Sequence, residues 1–367
     1  MNLFVTYLKD YFRRSSRSSI LVTLLFVAVL VFLNYTIGIE KRIRELHPWP
    51  LSLISFFFFY GFVLFFSWAV QYTFGHHTTL SGSLPVKSLL SYKKRFLLLI
   101  LLAPLYFAAK MIHWDLNFLL PGSWAYPWDR YALIVLQLPA KLLLLFLLVY
   151  VYWRLERERG NGPGSEIGLG KPEVGGIGRR EKSRDAAPEV GMTGSAVEVG
   201  TAGSGLGMWA FFGLTVKNFR SKPYFLILCG LVPLIALAST RPDFLQMYPK
   251  VKNIAFIGGY ATPVWPWNLL YEISYGLDFL SIELFFRGLL IIGLARYAGE
   301  YAILPMAAFY CTIHFGKPMG ECISSFFGGL ALGVIALRTR SIFGGLIVHL
   351  GLAWLMELGG WIGGQYF

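Results

Sequence analysis

Charge is what this sequence lacks. Of 367 residues only 14% are Asp, Glu, Lys or Arg, while 56% are apolar and 17% aromatic. Soluble domains carry about 25% charged residues, and a water-facing globule of this size would have too few charges to cover itself. Disorder, a coiled coil and a cytosolic enzyme are excluded as the main description. An all-α, polytopic helical membrane protein remains. Acid is scarcer than base, 20 Asp+Glu against 33 Lys+Arg, giving a net charge of +13. In so apolar a chain the excess base fits cytoplasmic loops facing anionic headgroups, and no nucleic-acid partner is expected. Cysteine is thin as well. Cys229, Cys311 and Cys322 form no CxxC or Cys/His spacing, which excludes a zinc knuckle and a disulfide framework. They read as small buried hydrophobes.

What is present is a series of apolar runs. The first, about residues 19–38 after a basic start at Lys9–Arg17, is long enough to cross a ~30 Å hydrocarbon core. It is too long for a typical signal-peptide core and reads as an uncleaved first helix. Further spans are expected near 51–70, 96–112 and 131–153. The loop between Val70 and Phe96 holds Lys87, Lys93, Lys94 and Arg95 without an acid, whereas 112–131 holds Asp115 and Asp129 against Arg130. The positive-inside rule then puts the N-terminus, that basic loop and the segment after Trp153 in the cytoplasm. An integral membrane protein of a bacterial cytoplasmic membrane is the expectation.

Three parts are expected: a membrane region over 1–153 with four spans, a linker over 154–206 and a second membrane domain over 207–367. The linker is dense in glycine and charge and has no aromatic residue between Trp153 and Trp209, so it cannot bury enough apolar area to offset its ordering entropy. After it, residues 209–224 mix apolar and basic side chains and suggest an interfacial amphipathic helix. Apolar runs follow at 225–238, 269–295, 301–313, 323–337 and 342–358, for eight or nine spans in all. No internal repeat is visible, which argues against a transporter built on inverted halves.

Ionisable groups inside apolar runs are the informative residues, because each costs about 2.5–3.5 kcal/mol at the bilayer centre on insertion scales. Glu283 and Arg287 are four apart and share a helix face, so they can pair, as structure or as function. His314 ends one apolar run, with Lys317 and Glu321 just beyond, and His349 lies within the last, after Gly344-Gly345. Gly328-Gly329 marks a place where helices can approach closely. Singly, each histidine reads more readily as a satisfied structural group. Together, a carboxylate that can take a proton from water and two imidazoles that can orient it or meet an oxyanion make a hydrolytic set. Glu with two His is also a zinc-ligand set, but no His-Glu-x-x-His signature preassembles one, and no cofactor is expected. Lys110, Lys141, His47, His76, His77 and His113 read as snorkelling or local polar packing.

These elements, in this order, resemble the CPBP family: type II CAAX prenyl endopeptidases, Abi-like intramembrane proteases and relatives of lysostaphin-resistance protein A. The family pattern is Glu-Glu-x-x-x-Arg, then Phe-x-x-x-His, then His-x-x-x-Asn. Glu283 and Arg287 match the second Glu and the Arg, Tyr310-x-x-x-His314 matches with an aromatic exchange, and His349 matches the third motif. Two positions depart: Ile282 stands at the first Glu, the usual general base, and Ala353 at the Asn. The resemblance spans roughly 269–359 and implies an intramembrane endopeptidase acting on a membrane protein or lipidated peptide. Catalytic roles would fall on Glu283, Arg287, His314 and His349. With Ile282 in place, Glu283 itself, another carboxylate such as Glu321 or Asp278, or no catalysis at all are the readings left open. A non-catalytic scaffold or immunity-type protein on the same fold is the chief alternative.

Overall fold

The computed structural model describes residues 2–75, 93–114, 116–160, 207–216 and 219–366. Of the linker expected over 154–206, residues 154–160 instead continue the helix Trp128–Gly160, while 161–206 and most of the basic loop after Val70 lie outside the described residues. Among those described there is helix and no strand. In chain order the principal helices are α1 (Asn2–Arg14), α2 (Arg17–Ile37), α3 (Ile39–Arg44), α4 (Trp49–Phe74), α5 (Lys93–Met111), α6 (Trp128–Gly160), α7 (Lys222–Ala238), α8 (Trp265–Glu283), α9 (Ile303–Thr312), α10 (Met319–Thr339) and α11 (Phe343–Tyr366). Five are long and apolar enough to cross a membrane: Arg17–Ile37, Trp49–Phe74, Trp128–Leu155, Met319–Thr339 and Phe343–Tyr366. Ile100–Met111 and Lys222–Ala238 are shorter apolar helices.

Local sequence sets the boundaries. Ser16 caps α2 by accepting the Ser19 amide at 3.4 Å, and α2 ends on Gly38 at φ 70°, where a side chain would be strained. Large apolar residues such as Leu21, Phe32, Phe58, Phe65, Leu143 and Leu237 point outward, as they must where the solvent is hydrocarbon. Polar groups such as Gln71, Ser281, Glu283 and Arg287 are gathered inside.

Two elements depart from the spans expected. The run at 301–313 forms only the ten-residue α9, every residue of it buried. At 1.5 Å per residue it covers about 15 Å, half a bilayer core, so it is an inner strut walled by α4 and α10. The amphipathic helix expected at 209–224 is reduced to one turn, Met208–Phe211. Gly213 turns the chain at φ 81°, and the fully buried Phe212 inserts against Gly288 and Gly293, where an added Cβ would stand 2.9 Å from the Phe212 carbonyl oxygen and 3.2 Å from its ring. Close van der Waals packing of the ring on two glycines, the usual way apolar groups associate within a membrane, holds the segment in the core.

The main core unites the two membrane regions. Tyr60 of α4 packs on Phe107 of α5 and Phe309 of α9, and Phe107 meets Phe285, Phe286 and Phe309, all with ring centroids 5.2–5.9 Å apart. The first region is therefore more than a set of spans: it packs against both the helix that carries Glu283 and the one that leads to His314.

Candidate active site

Beyond Glu283, α8 continues as a wider, π-type coil over Leu284–Gly293, all of it buried. Such coils are rare and frequent at functional sites. Glu283 and Arg287 lie at its start, and neither has any exposed surface. Arg287 Nη1 donates to Glu283 Oε1 at 3.0 Å. The same oxygen accepts from His349 Nδ1, which α11 brings in from the far end of the sequence. Gly345 makes room for this, since a Cβ there would run into the Glu283 carboxylate.

The far side of the imidazole is also engaged. His349 Nε2 and the Tyr310 hydroxyl are 2.5 Å apart. A carboxylate only accepts, so Nδ1 carries the hydrogen in the neutral ring, and Nε2 accepts the hydrogen of Tyr310. The Tyr310 ring lies under the Arg287 guanidinium, 4.6 Å from centroid to Cζ. It is seated against Gly329, where a Cβ would come within 2.9 Å of the ring. Of the glycine pair in α10, Gly329 is thus the one that permits close approach, while Gly328 faces open space.

His314 joins the group through the same tyrosine. Its Nδ1 lies 2.9 Å from the Tyr310 carbonyl oxygen, and the two rings are 4.7 Å apart. A carbonyl also only accepts, so Nδ1–H donates and the neutral His314 presents its lone pair at Nε2, the arrangement of a base. The loop bearing it is held by the first membrane region. Tyr35 donates to the Lys317 carbonyl at 2.5 Å, Phe59 packs on Phe315 at 5.9 Å, and Gly316, at φ 78°, passes over the Glu40 carboxylate. Burial alone would depress the Lys317 ammonium, but Glu321, Tyr248 and Tyr275 outweigh it and hold it well above its ordinary value.

All four residues expected from sequence are thus brought together, three in direct contact and His314 through Tyr310. The tyrosine is what sequence reasoning passed over; its signal was a hydroxyl-bearing ring where the family pattern has Phe. The two substitute carboxylates are engaged elsewhere. Asp278 pairs with Lys110, which also reaches Ser281 Oγ at 2.6 Å. Glu321 pairs with Lys317 at 2.5 Å and accepts from Tyr248 at 3.2 Å. Ile282 packs against the apolar core, and Ala353 is buried on α11. Three buried polar atoms of the site have no protein partner: Glu283 Oε2, Arg287 Nε and Arg287 Nη2.

Residues 265–355 match the family model described as type II CAAX prenyl endopeptidase Rce1-like. This part of the chain is similar to the CPBP family, in agreement with the motif resemblance. Neither a search of curated proteins nor one of solved structures gave a match. The matched residues hold Glu283, Arg287, Tyr310, His314 and His349, so the matched segment and the buried network coincide. A zinc ion does not suit the donors as they stand. Both nitrogens of His349 are taken, Nδ1 of His314 is turned to a carbonyl, and a guanidinium sits on the carboxylate. Among the described residues no three His, Cys, Asp or Glu side chains gather as a ligand set.

Proposed function

We propose that the protein is an intramembrane endopeptidase of the CPBP type, hydrolysing a peptide bond of a membrane-associated protein or lipidated peptide. The observation that carries this reading is the fully buried Glu283–Arg287 pair with Glu283 Oε2 and two guanidinium nitrogens left without protein partners. A buried polar atom without a partner costs about 1–3 kcal/mol, a cost that makes sense where water and substrate are to be held. Glu283 supplies the negative charge that activates water, and His314 offers a lone pair that orients it. Arg287 keeps the carboxylate ionised and oriented. His349 lies between that charge and the developing oxyanion. The type II CAAX endopeptidase model makes a prenylated C-terminal peptide the first substrate to try. The bilayer would be a bacterial cytoplasmic membrane, with the N-terminus and linker on the cytoplasmic side.

The test is cleavage of a fluorogenic farnesylated CAAX peptide by the full chain in lipid vesicles. Glu283→Gln and His314→Ala should each abolish turnover while the protein still inserts and elutes as the wild type does. Wild-type rates in both variants would sink the reading. A second reading, a substrate-binding relative without catalysis, is favoured by the apolar packing of Ile282 and by Ala353. It would be upheld if the wild type bound the peptide and never cut it.

A further inference from the structure

The network has an order that the four expected residues alone do not explain. Glu283 and Arg287 have no exposed surface, whereas His349 keeps 8% and Tyr310 3%. The charge is sealed, and the network meets its surroundings at the histidine and the tyrosine. Both imidazole nitrogens of His349 are committed, Nδ1 to Glu283 and Nε2 to the Tyr310 hydroxyl. The position one residue before Glu283 is Ile282, which packs against the apolar core and offers no carboxylate.

From these contacts we infer that the Tyr310 hydroxyl is a catalytic group, the outer end of a Glu283–His349–Tyr310 proton relay that acts where Ile282 cannot. This rests on the protease reading and deepens it. The order is that of a carboxylate–histidine–hydroxyl triad, with the hydroxyl passing protons rather than attacking. Water adds to the scissile carbonyl carbon, forming the C–O bond as the carbonyl π pair moves to oxygen. The water proton passes to the Tyr310 oxygen while the phenol proton passes to His349 Nε2. The imidazolium so formed lies against the Glu283 carboxylate, and its Nε2–H now donates to the Tyr310 oxygen, freeing the phenol hydrogen for the oxyanion. On collapse the C–N bond breaks, its electron pair stays on nitrogen, and the amine takes the proton back along the same path. The products are a carboxylic acid and an amine, and the relay is restored. The Arg287 guanidinium over the ring stabilises whatever negative charge the phenol gains.

Tyr310→Phe tests this cleanly, because it keeps the ring, its seat on Gly329 and its contact with Arg287, and removes only the hydroxyl. With the farnesylated peptide in vesicles, kcat should fall by about 10²–10⁴-fold, the range for a lost acid–base group, with KM within about threefold and only a small fall in the thermal midpoint from the lost hydrogen bond. A kcat within twofold of wild type overturns the relay and leaves the protease reading standing. If the wild type itself cuts nothing, the protease reading fails and nitrogen NMR of labelled histidine in the full chain decides the relay. An Nδ1–H tautomer at His349 whose Nε2 signal shifts in Tyr310→Phe supports it. An Nε2–H tautomer, or no shift on substitution, overturns it.

Discussion

Helix α8 carries two acid–base pairs five residues apart, and they are built differently. Asp278 pairs with Lys110 of α5, from the other membrane region, and the ammonium is shared with Ser281. Both partners retain some surface, 18% and 9% of their side chains, and none of the three residues has a buried polar atom lacking a partner. Glu283 pairs with Arg287 on its own helix, both without exposure, and three of their polar atoms are unpartnered. The first pair is a clamp between helices. The second is a charge held in reserve, with hydrogen-bonding capacity that the fold leaves unused. The sequence pattern is nearly the same, an ionisable residue in an apolar run, and unused capacity marks the second pair as the candidate for catalysis.

Four substitutions break or sharpen that contrast, in order of expected effect. Arg287→Met strands the Glu283 charge in the core and should cost about 3–5 kcal/mol, read as a large fall in the thermal midpoint in detergent with all cleavage lost. Glu283→Gln also leaves a buried charge, the Arg287 guanidinium, but its amide oxygen can still accept from it, so turnover should vanish with a smaller loss of stability. Equal losses of stability for the two would blur the distinction. Asp278→Asn should do the reverse, lowering stability by about 1–3 kcal/mol through the unpaired Lys110 while kcat stays within a few-fold of wild type. A kcat that collapsed there would move the catalytic carboxylate to Asp278. Tyr35→Phe, which loosens the His314 loop from the first region, should cost about 0.5–1.5 kcal/mol and slow cleavage only several-fold, measured as kcat at saturating peptide.

Much of this was legible in the sequence because a membrane makes polar residues conspicuous. Glu283, Arg287, His314 and His349 stand out of apolar runs by the cost of putting them there, and the four-residue spacing of the first two already placed them on one helix face. Less legible was whatever depended on a neighbour from another part of the chain. The interfacial helix expected near 209–224 was amphipathic in pattern, yet Phe212 had a slot waiting between Gly288 and Gly293. The run at 301–313 was apolar enough to span, and its full burial behind α4 and α10 made it a strut. Lys110 read as snorkelling or local polar packing, and Asp278 beside it decides for the second.

The sequence by itself determined the membrane class, the helical build and the identity of the groups able to do chemistry, since each follows from composition, run length and the cost of charge in hydrocarbon. Only the tertiary structure decided which of those groups touch. It brought His349 to Glu283 across 66 residues, made Tyr310 the link between the two histidines and turned Ile282 into the core. It also enlisted the first membrane region to hold the His314 loop. Hydrogen bonds and van der Waals contacts act over a few ångströms, and in a helical bundle that proximity is set by how the helices pack, which no single run of residues records.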